Sequence, residues 1–290
     1  MIRKIFVPLT GGDGDVPALT VAFAVARQQG SHIDAALLRF DQRYDRPKLD
    51  EQVPPGLFEE VATLLADHDA AEEEAHGRFE AARLAVGAPL AEAAPDAPAS
   101  PGRLGLSARW LGLRPAERIV RDGGLADLLV VGPQSASGNP RPNAIRRAAL
   151  MTAGRPLLLA PPAAPVRVGG RVAIAWNGST GAAQAVAAAL PFLAAADSIT
   201  VLTVKTARTR SSEGERLVDY LAWHGIKATA EVHKAASEVV GAQLLRRAGD
   251  CGADLLVMGG YVQSRLQEFL LGGVTGYVFG HAELPVLIAR

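Results

Sequence analysis

One cysteine, Cys251, stands in a chain of 290 residues, and a single thiol excludes both an intrachain disulfide framework and a cysteine-based zinc site. Its setting, RRAGDCGAD, reads as the end of a helix with no catalytic partner, hence a structural thiol. Net charge is missing as well, because 30 Lys and Arg balance 30 Asp and Glu. That removes the basic footprint of a nucleic-acid binder, and no nucleic-acid partner is expected. Long apolar runs are absent. AVAAALPFLAAAD is too short to cross a bilayer, and IFVPL is too brief for a secretory core, so the expectation is a cytoplasmic protein with no membrane partner. The six histidines show no HExxH or other zinc spacing, and no metal site is expected.

Several chemical signatures are also lacking. No G-x-x-x-x-G-K-[ST] occurs, neither half has G-x-G-x-x-G after its first strand, and WNGST is not a G-x-S-x-G elbow. Ser179 in that stretch reads as a helix cap rather than a nucleophile. No catalytic residue emerges, and the chain is read as a non-enzyme.

What the chain does have is internal repetition. KIFVPLTGGDG resembles RVAIAWNGSTG, DLLVVGP resembles DLLVMGG, and RPLLLAPP resembles LPVLIAR. The length suits two domains, and the composition, 49% hydrophobic and 21% charged, suits two ordinary cores. Short apolar runs alternating with Ala- and Leu-rich helical stretches predict parallel strands buried on both faces. The fold class is α/β, with two tandem open parallel-sheet domains, residues 1–162 and 171–290.

In the second domain strands are predicted at Arg171–Trp176, Ser198–Val204, Lys227–His233, Asp254–Met258 and Pro285–Ala289. Ser179 is expected to cap the first helix. Ser212 and Glu215 suggest a capping box for the second, with Gly225 as its stop. The first domain is longer, since Lys4 to Asp127 far exceeds the matching Arg171 to Asp254. The excess contains a helical stretch with Leu57, Val61, Leu64, Leu65 and His68 on one stripe. A Pro- and Ala-rich loop follows it, GAPLAEAAPDAPASPGRLG. The acidic run Glu72–Glu74 is read as a solvated helix face.

The most informative stretch is DLLVMGGYVQSRLQEFLLGGVTGYV. Gly259 ends a parallel strand, at the edge where open α/β sheets bind ligands, and Gly272 and Gly273 open the next helix. Glycine lets backbone N–H groups approach phosphate oxygens, and a helix N-terminus adds unpaired donors. Thr275 offers a hydroxyl donor, and Ser264 and Arg265 are further candidates for phosphate contact.

These residues carry a resemblance. AWNGS after the first strand, DLLVMGG, SRLQEFLLGGVT and HAELPVLIAR stand in the order and spacing of a universal stress protein domain. The first half is similar to the same domain through IFVPLTGG, DLLVVG and GRPLLLAPP. The chain thus resembles a tandem universal stress protein, which implies an adenine-nucleotide alpha-hydrolase-like, Rossmann-like fold. It also implies a pseudo-two-fold relation of the halves as an intrachain pseudo-dimer, Pro156–Leu159 pairing with Pro285–Ala289, with homodimerisation left open.

Nucleotide-binding members of that family carry G-x2-G-x9-G-[ST] on the ATP phosphates and an acidic residue after the first strand. Here Gly259 and Gly272 match the first and third glycines, Val262 replaces the second, Gly273 replaces Ser/Thr, and Asn177 stands at the acidic position. Asn177 keeps an acceptor for a nucleoside. By resemblance, Val204 offers backbone groups to adenine, and Met258 and Val274 line its surroundings. The expected ligand is an adenine nucleotide, ATP weakly held, with Mg2+ left open. In the first half Thr10 takes the acidic position, and Pro133, Pro140 and Pro142 follow Gly132, so no phosphate cradle is expected. Arg141, Arg146 and Arg147 read as a solvent-facing basic patch. The alternative is a structural or protein-interaction stress protein without nucleotide. Slow ATP hydrolysis is a third reading, for which Glu268 is the one nearby acid.

Overall fold

The computed structural model describes residues 1–39, 71–93, 105–115, 118–133, 145–146, 148–150, 153–205, 213–235, 239–260 and 273–290. The chain forms two compact units, Met1–Val166 and Arg167–Arg290.

The first unit contains β1 (Lys4–Leu9), α1 (Asp15–Gln29), β2 (His32–Arg39), α2 (Ala71–Ala85), β3 (Ser107–Pro115), α3 (Arg118–Gly124), β4 (Leu128–Val131) and β5 (Leu157–Leu159). Its parallel strands lie in the order β3-β2-β1-β4-β5. The second unit contains β6 (Arg171–Ala175), α4 (Thr180–Leu193), β7 (Ser198–Lys205), α5 (Glu213–Trp223), β8 (Thr229–Lys234), α6 (Val240–Asp250), β9 (Leu255–Gly259), α7 (Gly273–His281) and β10 (Val286–Ala289). Its order, β10-β9-β6-β7-β8, again puts the first strand in the middle. The registers agree too: Ile5 faces Leu128 in one unit, and Val172 faces Leu255 in the other. The α/β fold and the duplication are therefore as the sequence suggests, and strand boundaries differ by a residue or two.

Local chemistry explains the repeated D-L-L-V. The four apolar strand residues of β4 are all buried, as are Leu255 to Met258 of β9, which is the pattern of strands covered on both faces. The aspartate before each run has a different task. Asp127 accepts from the backbone N–H groups of Arg3 and Lys4, and Asp254 accepts from those of Gly169, Gly170 and Arg171. Each carboxylate thus ties the start of its unit's first strand to its fourth. At the other sheet edge, β8 is largely exposed and carries Glu231 and Lys234, charges that discourage further strand addition.

Ser179 caps α4, its hydroxyl accepting from Ala182 N–H at 3.2 Å. Gly225, just past α5, takes a φ of 71° as a stop residue should. Ser212 lies outside the described residues.

Helix α2 belongs to the inserted segment and is part of the first unit's core. Phe79, fully buried, meets Phe23 of α1 at a centroid distance of 6.1 Å and Trp110 of β3 at 5.6 Å. The acidic run divides: Glu73 and Glu74 are exposed, whereas Glu72 is partly buried and accepts from Leu113 N–H at 3.1 Å. The expected solvated face is corrected at that one residue, which satisfies a donor on the outer strand. Within the Pro- and Ala-rich loop, Leu90 bridges Ala108 of β3. The stripe Leu57, Val61, Leu64, Leu65 and His68 lies outside the described residues.

The first unit also buries an ion network. Asp34 of β2, 1% exposed, receives Lys4 Nζ at 2.9 Å, His32 Nε2 at 3.1 Å, and Arg109 through Nε at 2.8 Å and Nη2 at 2.9 Å. Burial alone would raise its carboxyl, but hydrogen bonds from His32, Arg109 and Lys4 outweigh that and hold it well below the usual carboxylate range.

Candidate functional site

The carboxyl ends of β6, β7 and β9 form one edge of the second unit, and the loops leaving them carry the candidate residues. Ala175 of β6 faces Leu202 of β7 on one side and Met258 of β9 on the other. Asn177, Val204, Met258 and Gly259 therefore gather at this edge. Val204 is 7% and Met258 3% exposed, so both present backbone and packing surface rather than free side chains.

Gly259 is needed for close approach. A Cβ there would lie 2.5 Å from Ala182 N and 2.7 Å from Gly181 C, within the first turn of α4. Strand end and helix start touch backbone to backbone, which positions the α4 N-terminus at the mouth. Gly132 at the equivalent place in the first unit is as crowded, with Gly14 O 2.2 Å from such a Cβ. The glycine at this position thus serves the fold in both units.

Helix α7 begins at Gly273, which is exposed, and among the described residues nothing would meet a Cβ there. Val274 is half-buried, and Thr275 is 1% exposed and engaged within the fold, so its hydroxyl is turned inward. Helix α7 packs on α6, where a Cβ on Gly241 would meet Tyr277 at 2.9 Å. Val262, Ser264, Arg265, Glu268 and Gly272 lie outside the described residues.

Asn177 is exposed, and its Oδ1 accepts from Ser179 N–H at 3.1 Å. That bond forms the local turn that Asn side chains favour, and the second lone pair of Oδ1 remains at the exposed loop. Three polar groups that the sequence did not single out stand close by. Glu213, first residue of α5, lays its carboxylate over Gly178: a Cβ on Gly178 would lie 3.2 Å from Oε2. Thr203 is fully buried and, among the described residues, its hydroxyl has no partner, nor has the buried indole Nε1 of Trp176. Trp176 and Thr203 follow the paired residues Ala175 and Leu202, so they project from the same face of the sheet. The α5 residue Gly214 sits directly over Thr203 Oγ1, which a Cβ would approach to 3.2 Å.

The equivalent loop of the first unit is closed on itself. Asp15, where the second unit has Ala182, is 2% exposed. Its carboxylate accepts from Thr10 N–H at 2.9 Å, Thr10 Oγ1 at 3.1 Å and Gly11 N–H at 2.9 Å. Arg78 of α2 reaches in, donating from Nη1 to Gly12 O at 2.6 Å and standing 3.6 Å from the same carboxylate. Burial pushes Asp15 up to about 6, outweighing the Thr10 and Gly11 hydrogen bonds and the Arg78 charge. Arg146 is 1% exposed and engaged within the fold, which corrects its reading as part of a solvent-facing patch; nothing is described of Arg141 and the Arg147 side chain.

Among the described residues no group of three His, Cys, Asp or Glu side chains could hold a metal, and no helix is long and apolar enough to cross a membrane.

Comparison with known proteins bears on the whole chain. Residues 170–290 match the model of the universal stress protein family. A universal stress protein from Archaeoglobus fulgidus DSM 4304 shares 11% identity and a TM-score of 0.68, over 99% of this chain and 96% of that one. A solved protein described as a putative universal stress protein, from Pseudomonas aeruginosa UCBPP-PA14, shares 16% identity and a TM-score of 0.52, over 99% and 93%. A universal stress protein in complex with cAMP is 21% identical with a TM-score of 0.30, over 55% of this chain and 97% of that one. No curated protein matches the chain.

Proposed function

We propose that the chain, whose residues 170–290 match the universal stress protein family model, is a stress-response binding protein that takes one adenine nucleotide, ATP first among them, in its second unit. The observation that carries the reading is the contrast between two equivalent loops. In the first unit Asp15 consumes the N–H groups of Thr10 and Gly11 and places a carboxyl where an anion would have to enter. In the second unit Ala182 replaces it, the loop stays exposed at Asn177, and Gly273 opens a helix N-terminus suited to phosphate. The first unit is then a companion that binds no nucleotide. The reading is of binding without turnover, with slow ATP hydrolysis as the alternative.

The test uses Val262, the residue in place of a family glycine. Calorimetric titration of Val262→Gly with ATP should show binding about ten- to a hundredfold tighter than the unsubstituted chain, as one backbone contact is restored. Unchanged or weaker affinity contradicts this account of the loop. One feature favours the rival reading of a protein-interaction module: Trp223, at the end of α5, is 90% exposed, with Tyr220 one turn earlier at 42%.

A further inference from the structure

We propose that Glu213 is the carboxylate that receives the sugar hydroxyls of the nucleotide in the second unit, an assignment that rests on the nucleotide reading above. On the loop leaving β6, Asn177 Oδ1 already accepts from Ser179 N–H and Ser179 Oγ from Ala182 N–H, and neither side chain carries charge. Glu213 reaches the same loop from α5. It faces Gly178, whose φ of 74° turns the chain there and whose missing side chain leaves room for Oε2. The placement differs from that of an ordinary acid at a helix start. The Glu213 side chain is 21% exposed, whereas Arg216, its partner at 3.4 Å through Oε1, is 75% exposed and screened by solvent. The second oxygen, Oε2, is the one turned to the mouth.

Independent support comes from beneath. A fully buried hydroxyl without a partner is rare, because leaving one unmade is costly. Among the described residues Thr203 Oγ1 is such a group, one residue of α5 away from Glu213, and Trp176 Nε1 adds an unmatched donor on the same face. Both atoms are buried beneath the start of α5, so unmet polarity underlies the point where the Glu213 carboxylate stands over the loop. A carboxylate there suits the sugar of a nucleoside, with a vicinal diol donating both hydroxyls to it. It does not suit phosphate, which the carboxylate repels. The ligand is therefore oriented, with its sugar at α5 and its phosphates toward the N-terminus of α7.

The experiment titrates the full chain and the variants Glu213→Ala and Glu213→Gln with ATP and with 2′,3′-dideoxy-ATP, which lacks the diol. The unsubstituted chain should prefer ATP by about tenfold or more, the size of a charge-assisted hydrogen bond. Glu213→Ala should lose that preference by weakening ATP while leaving the dideoxy compound unchanged, and Glu213→Gln, which keeps one acceptor, should fall between. Undiminished preference in Glu213→Ala overturns the assignment, and so does equal weakening of both ligands, which would mark a structural or water-mediated role. If Glu213→Ala melts early, the Glu213→Gln comparison decides alone. Failure of the unsubstituted chain to bind either compound overturns the nucleotide reading and this assignment with it.

Discussion

Asp34→Ala is expected to destabilise the first unit by about 3 kcal/mol, because it leaves two cations and a histidine gathered around an empty position. Removing one member of a buried ion pair costs more than the pair contributes, since the survivors lose their hydration without compensation. The value sits at the low end of the usual 3–5 kcal/mol because Lys4 and Arg109 are each 33% exposed and can recover some water. Urea unfolding should move to lower denaturant, and amide hydrogen exchange in β2 and β3 should accelerate while the second unit is unchanged. An unshifted transition would mean that the network is neutral. The network also sets an acid limit. Asp34 lies well below the ordinary carboxylate range in the fold, so its stabilisation is complete above that ordinary value and is lost as pH falls through the range beneath it.

Asp15 acts in the opposite direction. Its carboxyl rises from an ordinary 3.8 to about 6 in the folded unit, so the fold binds this proton more tightly than the unfolded chain does. Stability from Asp15 is therefore greatest below 3.8 and declines as pH rises toward 6, above which both states are ionised. The full span is on the order of 3 kcal/mol. Acidifying from pH 7.5 to 5 should strengthen the first unit, until the loss of Asp34 reverses the trend below about pH 4. Asp15→Asn should flatten the slope between pH 7.5 and 5, measured by denaturant unfolding at several pH values. The same slope in that variant would place its origin elsewhere.

The sequence revealed those features that depend on local pattern. Continuous apolar runs such as LLVV, short and bounded by turn residues, read as strands buried on both faces, and the repeated D-L-L-V, turn glycines and Ser179 cap made the duplication and most elements readable. Features fixed by distant partners were not readable. Asp34 lies in HIDAALL, an unremarkable strand, and its role comes from Lys4 and from Arg109, 75 positions away. Asp15 lies in GGDGD, which reads as a turn, and only the arrival of Arg78 from the inserted helix shows that the turn is a closed cluster. Arg146 was misread for a related reason, since a basic run is ordinarily solvated.

The candidate site divides along the same line. Gly259 was found by its motif, but the crowding against Ala182 that fixes its identity belongs to the packing of β9 on α4. Asn177 was found too, while its capture by Ser179 was a matter of loop geometry. Glu213 could not have been picked out, because nothing in SSEGERL says that α5 starts above Gly178.

The central claim is that one unit of the two binds a nucleotide. Its most direct test is calorimetric titration of the nucleotide-stripped chain with ATP, with and without Mg2+. The account predicts saturable binding with a stoichiometry of one per chain and a matching rise in melting temperature. Two sites per chain would contradict the closed loop at Asp15, and no heat with no thermal shift at millimolar ATP would contradict nucleotide binding altogether.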